Sequence, residues 1–338
     1  MSDPSINVST TQSPPLDIIV CEDTTPLAKH QPLLTHLYFG DSSASQHDCL
    51  SIQTELELLG SNLFAQYWFT DQHVVLANYK NIRYAHTPQM MFGCIQLSCA
   101  AGDDFQALTH KAYSEIYQCL QTTACKHLLR TWNFFPQITA IAPQQPSKNR
   151  YEVFCHGRLQ AMQDCGIKTK VYPAATVIGN HDHDLQIYFL ASDTPGTAVE
   201  NPRQTSAFHY PVEDDNTQPL FSRGLLKPWG TRTHFYVSGT ASIVGHETLH
   251  IDNVCEQLNE SINNVETLVA HANDKHHTQL NAQDDLLYMK VYIRHREHLE
   301  QIKQVLAARL SKHTPRALLL GDMCRENLLV EIEAFYQA

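Results

Sequence analysis

The chain has 338 residues, 43% of them hydrophobic, with 24 Lys and Arg against 35 Asp and Glu, a formal net charge of -11. That composition can bury a large core, as two related units or one large domain, and argues against a disordered protein. Its basic residues form no block that tracks a phosphate backbone, which argues against nucleic acid but leaves room for an anionic small molecule held by a few local arginines.

In chain order, residues 1–16 (MSDPSINVSTTQSPPL) lack the basic start and apolar core of a signal peptide and read as a disordered tail. No apolar run reaches the roughly 18 residues of a membrane span, and neither end resembles a lipidation signal, so a cytoplasmic protein without membrane contact is expected. Ten cysteines are scattered with no CxxC pair, the pattern of reduced, buried small residues.

Residues 34–99 alternate short apolar stretches (LTHLYF, AQYWF, HVVLANY, MFGCIQLSC) with polar turns, the pattern of strands. Over 104–129 the period changes. Phe105, Leu108, Ala112, Ile116 and Leu120 recur every three or four residues behind the possible caps Asp103 and Asp104, which predicts an amphipathic helix. Three prolines in Pro136–Asn149 then end the pattern and predict a linker at 136–149, dividing an N-terminal unit (17–135) from a C-terminal catalytic unit (150–338).

In the second half, strands are expected at Tyr151–Phe154, Ala174–Ile178, Leu185–Ala191 and His234–Ser238, with HDHD (181–184) as a solvated turn. A helix follows from about His246 to Ala272, then a strand at Leu286–Ile293, a helix at Glu297–Leu310, and strands at Ala317–Leu320 and Asn327–Phe335. Strands covered on one face by long helices predict an α+β fold. His246–His250 reads HETLH and satisfies the zinc-protease pattern HExxH. So short a match is easy among twenty histidines, no third ligand is evident, and a helix start explains the string better.

The C-terminal PRALLLGDMCRENLLVEIE (315–333) resembles the signature of the RidA (YjgF-like) family, although Asp322 replaces the small or basic residue usual there, which sets the chain apart from the simple imine-deaminating enzymes. Longer strings carry a closer likeness: WNFFP (132–136), RYEVFCHGR (150–158), PAATVIG (173–179), ENPRQTSAFHYP (200–211), FSRG (221–224), VSGTASIVGHE (237–247) and LLVEIE (328–333). Together they resemble the chorismatases, a branch with a RidA-like fold, over about residues 130–338.

The resemblance implies a RidA/YjgF-like fold, chorismate as substrate, no cofactor or metal, and Glu331 as the acid that protonates the enolpyruvyl ether. Chorismate is a dianion, for which arginine supplies a planar fork. By the same resemblance Arg158 and Arg223 are the expected anchors and Tyr151 and Tyr210 the phenolic donors, while Arg203 either touches substrate or braces a loop. The apolar neighbours Leu328, Leu329, Val330 and Ile332 would raise the Glu331 pKa, with Glu333, on the same face by alternation, helping through like charge.

Cys324, seven residues before Glu331, resembles the selector of the 3-hydroxybenzoate-forming branch. Ala241 resembles the residue lining that pocket in the diene-forming branch, and the mixture suits members that make both 3- and 4-hydroxybenzoate. Hydrolysis to a diene, or a non-catalytic metabolite-binding protein, are the alternatives. A monomer is expected, because two RidA-like units in one chain imitate an oligomer.

Overall fold

Two switches of period set the architecture. Runs of alternating residues build two broad sheets, and in each sheet the third strand gives way to a long helix. The computed structural model describes residues 16–22, 31–40, 49–100, 102–169, 171–181, 184–210 and 218–338. The expected tail lies outside these except for Leu16, which is buried in the core.

The first sheet has six strands: Val75–Tyr79, Ile82–His86, Met90–Ser98, His127–Pro136, Ala174–Asn180 and Asp184–Ser192. The second is built on Thr197–Val199, Gly224–Trp229, Arg232–Val237, Leu286–Ile293, Arg316–Leu320 and Val330–Gln337, with Thr240–Ala241 as a seventh, short strand. Counted along the chain, both run first, second, third, sixth, fourth, fifth across the sheet, and in both the fourth and fifth strands are parallel.

Helices α1 (Phe105–Gln121) and α2 (Arg150–Asp164) cover the outer face of the first sheet, and α3 (Val254–His276) and α4 (Leu299–Arg309) that of the second. The inner faces meet in an aromatic core that includes Trp132, Tyr188, Tyr292 and Phe335. A four-stranded sheet, Asp17–Cys21, Leu63–Phe69, Leu33–Gly40 and Leu50–Gln53 in spatial order, packs against both. Its Trp68 stands edge-on to Phe92 of the first sheet and to Phe335 of the second.

The α+β expectation holds, with corrections inside it. The linker expected at 136–149 is no boundary. Residues 141–149 form a two-stranded hairpin, and the strands at 174–192 return into the sheet that holds Met90–Ser98 and His127–Pro136. Tyr151–Phe154, read as a strand, is the first turn of α2. A capping box decides this: Glu152 N donates to Asn149 Oδ1 at 2.9 Å, and Asn149 N to Glu152 Oε2 at 2.7 Å.

Asp104 caps α1 as expected, but the helix stops at Gln121, where the Thr122 and Thr123 hydroxyls donate to the Cys119 and Leu120 carbonyls. The third helix begins at Val254, later than expected. His250 and Asp252 sit at positive φ (58° and 62°), which halts a right-handed helix, and Asn253 is the cap. HETLH is therefore a short hairpin strand at Glu247–Thr248 and a turn, so its histidines are not one helical turn apart. Of HDHD only His181 and Asp184 lie within the described residues.

Packing of α1 on α2 leaves no room at Gly157, where an added Cβ would stand 2.5 Å from the Gln106 carbonyl oxygen and 2.9 Å from Thr109 Cβ. Alanine is worth about 1 kcal/mol over glycine inside an exposed helix. Gly157→Ala should nevertheless destabilise the protein by about 1–3 kcal/mol, the usual cost of overpacking. Urea denaturation checks the sign, and an increase in stability would contradict the tight helix crossing.

Candidate active site

The strand Val330–Gln337 lies inside the second sheet, between Arg232–Val237 and Leu286–Ile293. Alternation sends Val330, Ile332 and Ala334 into the core beneath α3 and α4. Glu331 and Glu333 point the other way, towards the first sheet, and both are buried, at 6% and 2% exposure. Burying two carboxylates on one strand is costly, and the structure treats the two differently.

Glu333 is fully paired. It accepts from Arg130 Nη2 (2.9 Å), Thr176 Oγ1 (2.6 Å) and the Tyr292 hydroxyl (2.9 Å) on Oε2, and from Trp132 Nε1 (2.9 Å) on Oε1, where Lys290 Nζ also sits at 2.9 Å. Burial alone would push its carboxyl up, but Lys290 and Arg130 hold it down at about 2. It is a permanent anion.

Glu331 has no hydrogen-bond partner for its carboxyl among the described residues and faces a cavity of about 260 Å³. Burial first, and the Glu333 charge second, raise its pKa to about 8, against the opposing pull of Arg130 and Arg223. At neutral pH it holds a proton. Gly239 makes the space for it, since a Cβ there would collide with Glu331 Oε1.

That glycine follows a break in pairing. Tyr236 faces Phe335 and Thr240 faces Ile332, so four steps on one strand match three on the other, a bulge of the kind found beside active sites. The break brings Gly239 N to the Ala175 carbonyl (3.0 Å) and Ser238 Oγ to Ala175 N (2.9 Å), so the edge strand Ala174–Asn180 of the first sheet forms the opposite wall with Ala175 and Val177.

Two guanidinium groups line this cavity. Arg223, 3% exposed, donates from Nη2 to the Tyr210 hydroxyl (2.6 Å) and the Thr205 carbonyl (2.9 Å), and lies over the Tyr210 and Phe221 rings. Arg325 donates to the His246 carbonyl (2.8 Å) and the Thr248 hydroxyl (3.2 Å). Neither has a carboxylate within salt-bridge distance among the described residues. Arg294 braces the loop that carries Arg325 and Cys324, donating to the Leu328, Met323 and Arg325 carbonyls and to Asp322.

Tyr151, Tyr210, Ala241 and Cys324 line the same cavity. Burial pushes the Tyr151 hydroxyl well above its usual range, so it stays a donor. Burial, then the nearby Glu331, push the Cys324 thiol up to about 12, so it is a thiol and not a thiolate.

Of the nine residues singled out in the sequence, six line the cavity: Glu331, Cys324, Tyr151, Tyr210, Arg223 and Ala241. Arg158 does not. It points from α2 into a different cavity, over the Tyr113 ring. Arg203 binds Glu260 (2.5 Å) and Asn264 (3.0 Å) on α3 and braces its loop. Glu333 lies beneath the cavity, bound by protein groups alone. Arg325, Gly239 and the Arg130–Lys290 pair were missed. Arg325 and Gly239 stood inside strings already quoted, whereas nothing in the sequence pairs Arg130 or Lys290 with Glu333 across some 200 and 43 positions.

Residues 66–191 match the family model described as chorismatase FkbO/Hyg5-like, N-terminal. The match spans the first sheet, so the likeness reaches well before residue 130. Over 275 residues the chain is 33% identical to a chorismatase of Streptomyces rapamycinicus, covering 80% of this chain and 81% of the relative. It is 31% identical over 277 residues to a 3-hydroxybenzoate synthase of Streptomyces hygroscopicus, covering 80% of each. A crystal structure of a chorismatase superposes with a TM-score of 0.85 at 27% identity, over 96% of this chain and 98% of that one.

Removing one partner of a buried ion pair strands the others, typically at about 3–5 kcal/mol. Glu333→Ala should therefore cost stability on that scale at neutral pH, and Glu333→Ala with Lys290→Met should lose less than the two single changes summed. A double-mutant cycle in urea measures the coupling, and additive losses would mean that the pair is not coupled.

Proposed function

The chain belongs to the chorismatase family, and from that premise we propose that it cleaves chorismate to pyruvate and 3-hydroxybenzoate, with some 4-hydroxybenzoate, using Glu331 as the proton donor. One observation carries the reading: a buried carboxyl, without a hydrogen bond among the described residues and pushed up to about 8 by burial and the Glu333 charge, faces a cavity that also holds two arginines. It is an acid still protonated at neutral pH, poised beside cationic anchors for a dianion.

The enolpyruvyl group of chorismate is a vinyl ether. A proton from Glu331 added to its methylene carbon gives an oxocarbenium ion, and the ionised carboxylate left behind lies within reach of the field of Arg130 and Arg223. Arg223 and Arg325 would take the two substrate carboxylates, with Tyr210 and Tyr151 donating hydrogen bonds. The mechanism needs no metal, because protonation of a vinyl ether requires an acid.

Product choice depends on water. Chorismate has the same atoms as hydroxybenzoate plus pyruvate, so the aromatic products form with no net water, whereas the diene needs one water consumed. Ala175, Val177, Phe221, Ile243 and Leu328 give the cavity apolar walls, and the neutral Cys324 thiol, a weak hydrogen-bonding group, lines it beside them. These features favour the aromatic branch. The repeated strand order supports two related units in one chain, and a monomer in the cytoplasm is the working form we propose.

Glu331→Gln should abolish pyruvate release while leaving the fold intact, and wild-type turnover should fall as pH rises through about 8, as the acid loses its proton. The same raised pKa gives folding stability that is complete below the ordinary carboxylate range and is lost as pH rises through about 8, so the Gln variant should lack that slope. Pyruvate assays and thermal melts across pH measure both. Activity of the variant within tenfold of wild type would remove Glu331 from the chemistry.

Cys324→Ala should keep pyruvate release but lower the share of 3-hydroxybenzoate in favour of 4-hydroxybenzoate or the diene. Chromatography of the products decides, and an unaltered ratio would leave Cys324 a packing residue.

A further inference from the structure

A second cavity, of about 410 Å³, opens between the C-terminal halves of α1 and α2 and the chain that enters the strand Ala174–Asn180. The proposed reaction makes no use of it. Its walls are apolar, from Leu120, Leu128, Met162, Ile167 and Leu220, and Arg158 reaches it from α2. Arg158 is only 4% exposed, and its buried Nε has no hydrogen-bond partner among the described residues.

Its company is the face of the Tyr113 ring at 5.0 Å and the Tyr117 phenol, and among the described residues no carboxylate pairs with it. Among the described residues no Asp or Glu lines the cavity, while the exposed Lys126 and Lys168 stand at its rim. A guanidinium desolvated beside an open, apolar space lacks the counter-charge that buried arginines ordinarily have. An anion small enough to enter would supply that counter-charge.

We propose that this cavity is a second binding site, for an aromatic carboxylate, with the carboxylate on Arg158 and the ring among Leu120, Met162 and Leu220. It is separate from the reaction cavity but shares a wall with it. Along one short segment Leu220 faces this cavity while Pro219 and Phe221 face the other, and Ser222 Oγ ties the segment to the Tyr172 carbonyl at 2.9 Å. The inference stands on Arg158 and its surroundings and does not depend on how Glu331 acts.

Calorimetric titration of benzoate into the full chain tests it, using the wild type, Arg158→Met, Met162→Trp and Arg223→Met. Met162→Trp fills the space while keeping the guanidinium, so the test survives poor folding of Arg158→Met. The expected result is a benzoate site retained in Arg223→Met and weakened at least tenfold in Arg158→Met and Met162→Trp. No saturable binding to the wild type, unchanged binding in Met162→Trp, or loss in Arg223→Met alone would overturn the proposal. A parallel titration with 3-hydroxybenzoate separates two sources of the ligand: tighter binding than benzoate assigns the site to the product of the proposed reaction, and equal binding to aromatic carboxylates from elsewhere.

Discussion

The buried pairing of Glu333 with Arg130 and Lys290 is the interaction on which the site depends. It joins the two sheets through charge, since Arg130 belongs to the first and Lys290 and Glu333 to the second. A desolvated ion cluster of this kind gains little net stability over a well-packed apolar core. What it supplies is a fixed negative charge two residues from Glu331, on the same face of the same strand. Two carboxyls of identical chemistry thus separate to about 2 and about 8, because one is given every donor and the other none.

That separation explains the geometry around it. Glu331 keeps its proton only while no donor reaches its carboxyl, and Gly239, whose Cβ would collide with that carboxyl, lacks a side chain. The bulge that places Gly239 also carries the second sheet's chain across to Ala175, so the same irregularity shapes the acid's pocket and seals the sheets together. Arg294 plays the corresponding part on the other side, where four hydrogen bonds hold the loop bearing Cys324 and Arg325 over the cavity.

Much of this was legible in the sequence where the signal is local. The alternation of Val330 to Glu333 placed both glutamates on one face, and the strings around Tyr210, Arg223 and Ala241 marked the wall that they form. The errors came where local pattern and tertiary context diverge. The apolar residues of RYEVF read as a strand because their alternation hides the Asn149–Glu152 cap, whereas Arg158 was expected at the site by resemblance alone and lines a different cavity. The prolines of 136–149 read as a linker because a hairpin between a strand and a helix has the same composition as one between domains. Which face of the final strand is dry on both sides depends on a sheet contributed by residues far upstream, and no local period encodes that.

The strand Ala174–Asn180 is the edge of the first sheet, and an uncovered edge is a template for pairing with other chains. Here its free side is taken up by Ser222, Gly239 and Asp322, the last in a reciprocal pair of bonds with Gly179 of 2.7 and 2.9 Å. The seam that encloses the acid is therefore also the guard of an exposed β-edge. Any change that pries the cavity open to admit a larger molecule also uncovers backbone donors and acceptors, so selection for a roomier pocket and selection against aggregation act on the same few hydrogen bonds.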